Sequence, residues 1–284
     1  MIDLTKMPPP EVVEPLDFER ILATMKADVI ALHPAIGPKL ALESEPVTKL
    51  LEVFAYRELL WRARVNDAAR GVMLAYAVGS DLDHLAALYG VQRLADEDDD
   101  RLRMRSQLAM EGFSTAGPRL SYVFHALSSS NAVRDVSVSS PAPGEVSITV
   151  LSQIGAHSIN GVPDAALLAT VLAACNGDSV RPLADHVVVA PAVVHDYPIV
   201  ARIYCHPEAD SAASLDLARS AGAAYAEDQF RLGYDITLSG LHRALHQPGV
   251  TRVDVADPPA GMAAASGEAY RCTGVTVTFA GTEI

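Results

Sequence analysis

Steps of three and four residues from Val47 trace one apolar stripe through Leu51, Phe54, Trp61, Val65, Ala68, Val72 and Ala75, interrupted only by Glu58. The stripe predicts a helix from Val47 to Val78, about 48 Å long at 1.5 Å per residue and longer than a globular core requires. Such a helix packs along another helix, which belongs either to the same chain or to a partner. Burying each large residue of the stripe is worth about 1.5–3 kcal/mol, so Phe54 and Trp61 could anchor an interface. Glu58 can pair with Arg62 one turn on. Ser44 or Glu45 can cap the start, with Pro46 in the first turn, and Gly79 offers a left-handed stop. Ser80 to Asp83 reads as an acidic variant of the capping box, opening a short helix that Gly90 closes. Upstream, a helix from Leu16 to Leu32 ends at His33 and Pro34. The leader with Pro8, Pro9, Pro10 and Pro15 reads as an extended arm.

Beyond Gly112 the period alternates between helix and strand. Pro118 to Leu127 reads as a helix, and Val133 to Ser139 and Glu145 to Leu151 as strands around the turn Pro141, Ala142, Pro143, Gly144. A helix from Pro163 to Cys175 follows, then strands at His186 to Ala190 and Ile199 to Cys205. An alanine-rich helix from Ser211 to Leu232 is closed by Gly233, and a strand at Asp235 to Leu238 and a short helix from Gly240 to His246 come next. One unit recurs. His125 leads into Val133 to Val138 at the same offset at which His242 leads into Val250 to Val255. Second strands follow at Val146 to Val150 and Val275 to Phe279. The fold class is therefore α+β: an N-terminal long-helix region, then two related αβ lobes with mainly antiparallel sheets. The corresponding divisions are residues 1–40 (arm and first helix), 41–112 (helical, bundle-forming), 113–192 (first lobe) and 193–284 (second lobe).

With 284 residues, half of them hydrophobic, the chain has material for about two well-formed cores. A formal charge of −13 and a pI near 5.0 speak against duplex DNA or an anionic membrane, both of which need clustered Lys and Arg. No run approaches the roughly 20 apolar residues of a membrane span, and the start has no secretory pattern, so the expectation is assembly in the cytoplasm. Cys175, Cys205 and Cys272 are too scattered for a disulfide framework or a zinc site and read as small buried hydrophobes.

Candidate chemistry is sparse. The acidic run Asp96 to Asp100 precedes a helix from Arg101 to Glu111, where its charge favours the positive helix end. Consecutive carboxylates seldom converge on one ion, and the glycine and terminal Glu of a calcium loop are missing. Gly177, Asp178, Ser179, Val180 is similar to the nucleophile block of GDS-type esterases, but it follows a helix rather than a strand and has no Asp-x-x-His partner near the C-terminus. His242 and His246 share the one-turn spacing of zinc-binding helices, but Arg243 stands where a zincin carries Glu. A hydrolase using Ser179, or a zinc enzyme using His242 and His246, is thus the alternative to a non-catalytic reading. One packed and one solvent-facing histidine is the simpler expectation.

Leu42 to Leu50, Ala55 to Arg57, Val65 to Ala68 and Val72 to Val91, with GSDLDHLAALYGV, resemble the baseplate J-like family of contractile-tailed phages and R-type tailocins. So do Arg101 to Gly117 with Glu111, Gly112 and Ala116-Gly117-Pro118, and Ser139-Ser140-Pro141-Ala142-Pro143. Val180-Arg181-Pro182 with Asp185, Leu232-Gly233 with Ile236 and Ser239, Ala244-Leu245-His246 and Gly249-Val250 continue the likeness in order. Ala95 to Asp100 departs from it, where relatives carry a longer insertion. The resemblance implies a non-enzymatic wedge protein without cofactors, in the baseplate of a virion or tailocin. It also implies partners: other copies of itself, a second wedge protein similar to tail protein I, and neighbouring hub, sheath and tail-fibre components. The interface residues expected on the helical seam are Val47, Leu51, Phe54, Trp61, Val65 and Val72.

Overall fold

The computed structural model describes residues 2–8, 10–114 and 117–283; Met1, Pro9 of the leader, Thr115, Ala116 of the Ala-Gly-Pro motif and Ile284 lie outside the described residues. The chain forms two compact units, one of Met1–Arg93 with Asp98–Gln107 and one of Leu94–Glu97 with Leu108–Ile284.

In the first unit, helix α1 (Phe18–Leu32) is capped by Asp17, whose carboxylate accepts the Arg20 N–H at 3.1 Å. After a short helix α2 (Gly37–Leu40) comes α3 (Pro46–Gly71), with Glu45 at its N-cap and Pro46 in its first turn. Phe18, Ile21, Leu22 and Met25 of α1 interlock with Leu51, Ala55 and Leu59 of α3, so the spacing of three and four on each helix builds one shared ridge. The helix is shorter than its apolar period suggests: it ends at Gly71, and Val72 to Val78 form turns. Arg103 fixes that segment by donating to the Leu74 and Ala77 carbonyls at 2.8 Å each, replacing the helical bonds those acceptors would otherwise make.

Gly79, with φ +55, therefore does not end α3; it opens α4 (Gly79–Leu88). The serine box is not formed. The cap comes from α5 (Asp99–Gly112), where Asp99 accepts the Gly79 N–H at 3.0 Å. That bond and Arg93, 2.7 Å away, hold the Asp99 carboxyl below its ordinary range. Gly90, φ +71, closes α4 as expected. Its N–H reaches the Ala87 carbonyl at 3.0 Å, and the Val91 N–H reaches that of Ala86 at 3.0 Å. Asp98 caps α5 through the Arg101 N–H at 2.8 Å, so this part of the acidic run serves a helix end.

The second unit carries two three-stranded sheets. After α6 (Arg119–Ser129), β1 (Val133–Ser139) and β2 (Glu145–Ser152) form the expected hairpin around Gly144, φ +75. Helix α7 (Ala165–Cys175) then crosses back so that β3 (His186–Pro191) lies parallel to β2. In the other sheet β4 (Val193–Cys205) is central, antiparallel to β5 (Val250–Asp257) and parallel to β6 (Glu268–Thr282), with α8 (Ser211–Gln229) and α9 (Leu238–Leu245) as the connection. Both sheets are mixed rather than mainly antiparallel, because a helical crossover returns one strand in each. The helix-to-strand offset recurs, from His125 in α6 into β1 and from His242 in α9 into β5. The second strands diverge: β2 pairs with β1, but β6 is separated from β5 by β4. Asp235 to Leu238 is not a strand; Ile236 makes a single bridge to Met262 and α9 starts at Leu238.

The second sheet's core is built by Ile199, Ala201 and Ile203 of β4 against Ala218, Leu241 and Leu245, all fully buried. Leu151, Ala192, Phe230, Leu232 and Ala269 join the two sheets. Arg134 of β1 lies 4.8 Å above the Phe230 ring and donates to the Phe230 and Glu227 carbonyls at 2.7 Å each. Its neighbour Asp135 accepts the Leu232 N–H at 2.9 Å.

Candidate protein interface

Because Ala55 and Asn66 mark the side of α3 turned toward α1 and the arm, the opposite side faces outward. On it Phe54 is 53% exposed, Trp61 72% and Val65 53%, with Leu50, Val53 and Leu60 alongside. An isolated chain thus presents a long apolar face, and single exposed hydrophobics do not explain so many on one helix. The expected seam residues do not all lie together on it. Val47 and Leu51 are half-buried, Leu51 within the α1 contact, and Val72, 70% exposed, sits on the turn after the helix. A groove of about 530 Å³ runs between α1 and α3, lined by Met25, Val29, Leu51, Phe54 and Trp61, with Asp28, Arg57 and Glu58 at its edges.

Glu58, the break in the stripe, bonds to Arg62 at 2.6 Å, and Arg62 also reaches Glu14 of the arm at 2.7 Å. The buried Asn66 completes this attachment. Its amide donates to the Glu14 carbonyl at 2.8 Å and accepts the Glu14 N–H at 3.1 Å, as a strand partner would. Further along, the Tyr76 hydroxyl donates to the Met7 carbonyl at 3.1 Å. Sequence reasoning missed this seam of polar anchors. The available signal was Asn66, a polar residue at a core position of an otherwise regular helix.

The enzymatic alternatives find no assembled site. Ser179 lies exposed on a turn after α7, and none of the hydrogen bonds among the described residues joins it to a base. His242 and His246 are both exposed, so neither is the packed histidine that was expected. Among the described residues no three His, Cys, Asp or Glu side chains are grouped to hold a metal ion, and no helix is long and apolar enough to cross a membrane. Cys175 and Cys205 are buried, burial pushing the Cys175 thiol up to about 12; Cys272 is half-buried.

The motif residues converge on structure rather than chemistry. Gly117, φ +72, lies so close to Pro182 that a Cβ there would stand 2.7 Å from its ring and 2.9 Å from the Asp185 carboxylate. Arg181 donates to the Asp185 carbonyl at 2.7 Å, and a Cβ on Gly112 would collide with the Phe124 ring.

Residues 43–100 match the family model of the baseplate J-like N-terminal domain, and residues 114–191 that of the baseplate J-like central domain. Over 303 aligned residues, covering all of this chain and 99% of the relative, it is 45% identical to baseplate protein J of Escherichia phage P2. Likeness of that degree over the full length, matching the motif residues that knot the second unit together, places the chain in the baseplate J-like family.

Proposed function

We propose that the chain is a structural wedge protein of a contractile-tail baseplate, joining wedge partners through its helical region and contributing its sheet lobes to an inner ring around the hub. The observation that carries this reading is the outward apolar face of α3 around Phe54 and Trp61 in a chain that is 45% identical, end to end, to a baseplate protein. A face of that size is costly to leave in water and is stabilised by burial against other chains. Its partners in this reading are other copies of itself, a second wedge protein similar to tail protein I, and neighbouring hub, sheath and tail-fibre components. The protein would act in a phage or tailocin particle after assembly in the bacterial cytoplasm, without a cofactor and without catalysis. A ring of paired interfaces also suits a contraction trigger, since packed contacts with two discrete arrangements pass a small shift onward.

Purification of native particles, with mass and stoichiometry of the subassembly that contains this chain, tests the reading. Recovery with sheath, hub and a second wedge protein supports it. A small free species without those partners overturns it and returns attention to Ser179 and the paired histidines.

A further inference from the structure

The outward side of α3 is apolar except at two places. Arg57 and Arg64 stand on it one heptad apart, about 10 Å along the axis, among the exposed Leu50, Phe54, Trp61 and Ala68. Neither guanidinium makes an ion pair or hydrogen bond among those found for the described residues. Other charges of the helix are engaged: Lys49 with Glu52 at 2.9 Å, and Arg62 with Glu58 and Glu14. Asp28 borders the same groove as Arg57 without an ion pair to it, and Asp67, one turn beyond Arg64, pairs with neither arginine.

A partner that covers this face with purely apolar side chains would strip water from two guanidiniums and give nothing back, which is unfavourable. Carboxylates at matching spacing would satisfy both, and the planar guanidinium accommodates them in a two-pronged geometry. A second α3 from another copy would instead bring further guanidiniums to the same seam, and like charges across an interface repel. We infer that the occupant of this face is an amphipathic helix of a different polypeptide, with Asp or Glu residues a heptad apart inside its own apolar stripe. The inference rests on the proposed role of α3 as an interface and adds the chemistry of what covers it.

The test replaces Ala68, exposed on the same face, by a photoreactive residue (Ala68→p-benzoylphenylalanine), irradiates assembled particles and maps the crosslinked peptide. The expected product joins this chain to a helical segment of another polypeptide bearing acidic residues seven apart. A crosslink to α3 of another copy, or to a segment without those acids, overturns the inference while the interface reading stands. Assembled particles with no crosslink between chains overturn both. In parallel, Arg57→Glu with Arg64→Glu should lower incorporation into particles by more than about tenfold, as expected when close charge pairs are reversed. Arg57→Lys with Arg64→Lys, which keeps the charge, should incorporate better than the Glu variant. Incorporation of the Glu variant at the unaltered level overturns the inference.

Discussion

The Tyr122 hydroxyl donates to the Asp185 carboxylate over 2.8 Å, tying α6 to the turn before β3 across 63 residues of chain. Tyr122 is almost fully buried, so Asp185 is what keeps its hydroxyl satisfied. Asp185→Ala should destabilise the chain by about 1.5–3 kcal/mol in denaturant unfolding, and Tyr122→Phe by less, because only the former leaves a buried hydroxyl without a partner. Equal and negligible effects would show that the motif around Asp185 is not a structural knot. Gly117→Ala belongs with Asp185→Ala, since it meets both a left-handed φ and the Pro182 ring.

Phe54→Asp with Trp61→Asp should leave folding intact and abolish particle assembly. Both side chains are more than half exposed, so the α1–α3 contact loses little, while a partner interface would have to bury two carboxylates in an apolar seam. Circular dichroism and thermal unfolding of the free variant, beside electron microscopy of particles, separate the two effects. Fully assembled particles carrying the double variant would contradict the proposed interface.

Asn66→Ala should release the N-terminal arm. The substitution removes both Asn66 bonds to the Glu14 backbone and should cost about 1–2 kcal/mol. Hydrogen exchange near Glu14 and proteolysis between Pro10 and Asp17 should accelerate, with the core strand β4 unaffected. Unchanged protection would mean that Arg62 and Tyr76 hold the arm without Asn66.

Asp135 gives the fold a pH dependence of known sign. Desolvation outweighs its bonds from the Leu232 and Val136 N–H groups and the nearby Arg231 and Arg134, raising its pKa above the usual 3.8. A raised folded-state value means that the native chain holds the proton longer than the unfolded one. This contribution to stability is therefore complete below pH 3.8 and is lost as pH rises through the raised value. Asp135→Asn should remove this component from the stability-versus-pH curve between those limits. An identical curve for the variant would show that the carboxylate titrates as it does in the unfolded chain.

Local signals located most elements. Asp164 and Asp210 mark helix starts and accept the N–H groups that their positions suggest, and the strands β1 and β2 coincide with alternating apolar runs. Long-range pairing was not legible. Nothing in Ile199 to Cys205 tells that β6 will lie parallel to it and β5 antiparallel, since a strand's alternation is the same on either side. The period from Val47 ran past Gly71 because Val72 and Ala75 continue it by chance, while the Arg103 bonds that stabilise the turn come from far along the chain. At the interface, the stripe found Phe54, Trp61 and Val65 but was centred toward Leu51, because apolar residues line both the α1 contact and the outward face. Arg134 and Asp135 escaped notice altogether, as adjacent charges on a strand look like solvent-facing residues until Phe230 and Leu232 are brought to them.

Trp61 is the only tryptophan in the chain, and it stands in solvent on α3 rather than in either sheet's core. Intrinsic tryptophan emission from this protein is therefore an optical gauge of docking. It should be red and easily quenched in the free chain, then blue and shielded once the α3 face is covered. The same placement leaves it nearly blind to melting of the sheets, so a flat fluorescence trace on heating would not indicate a stable fold.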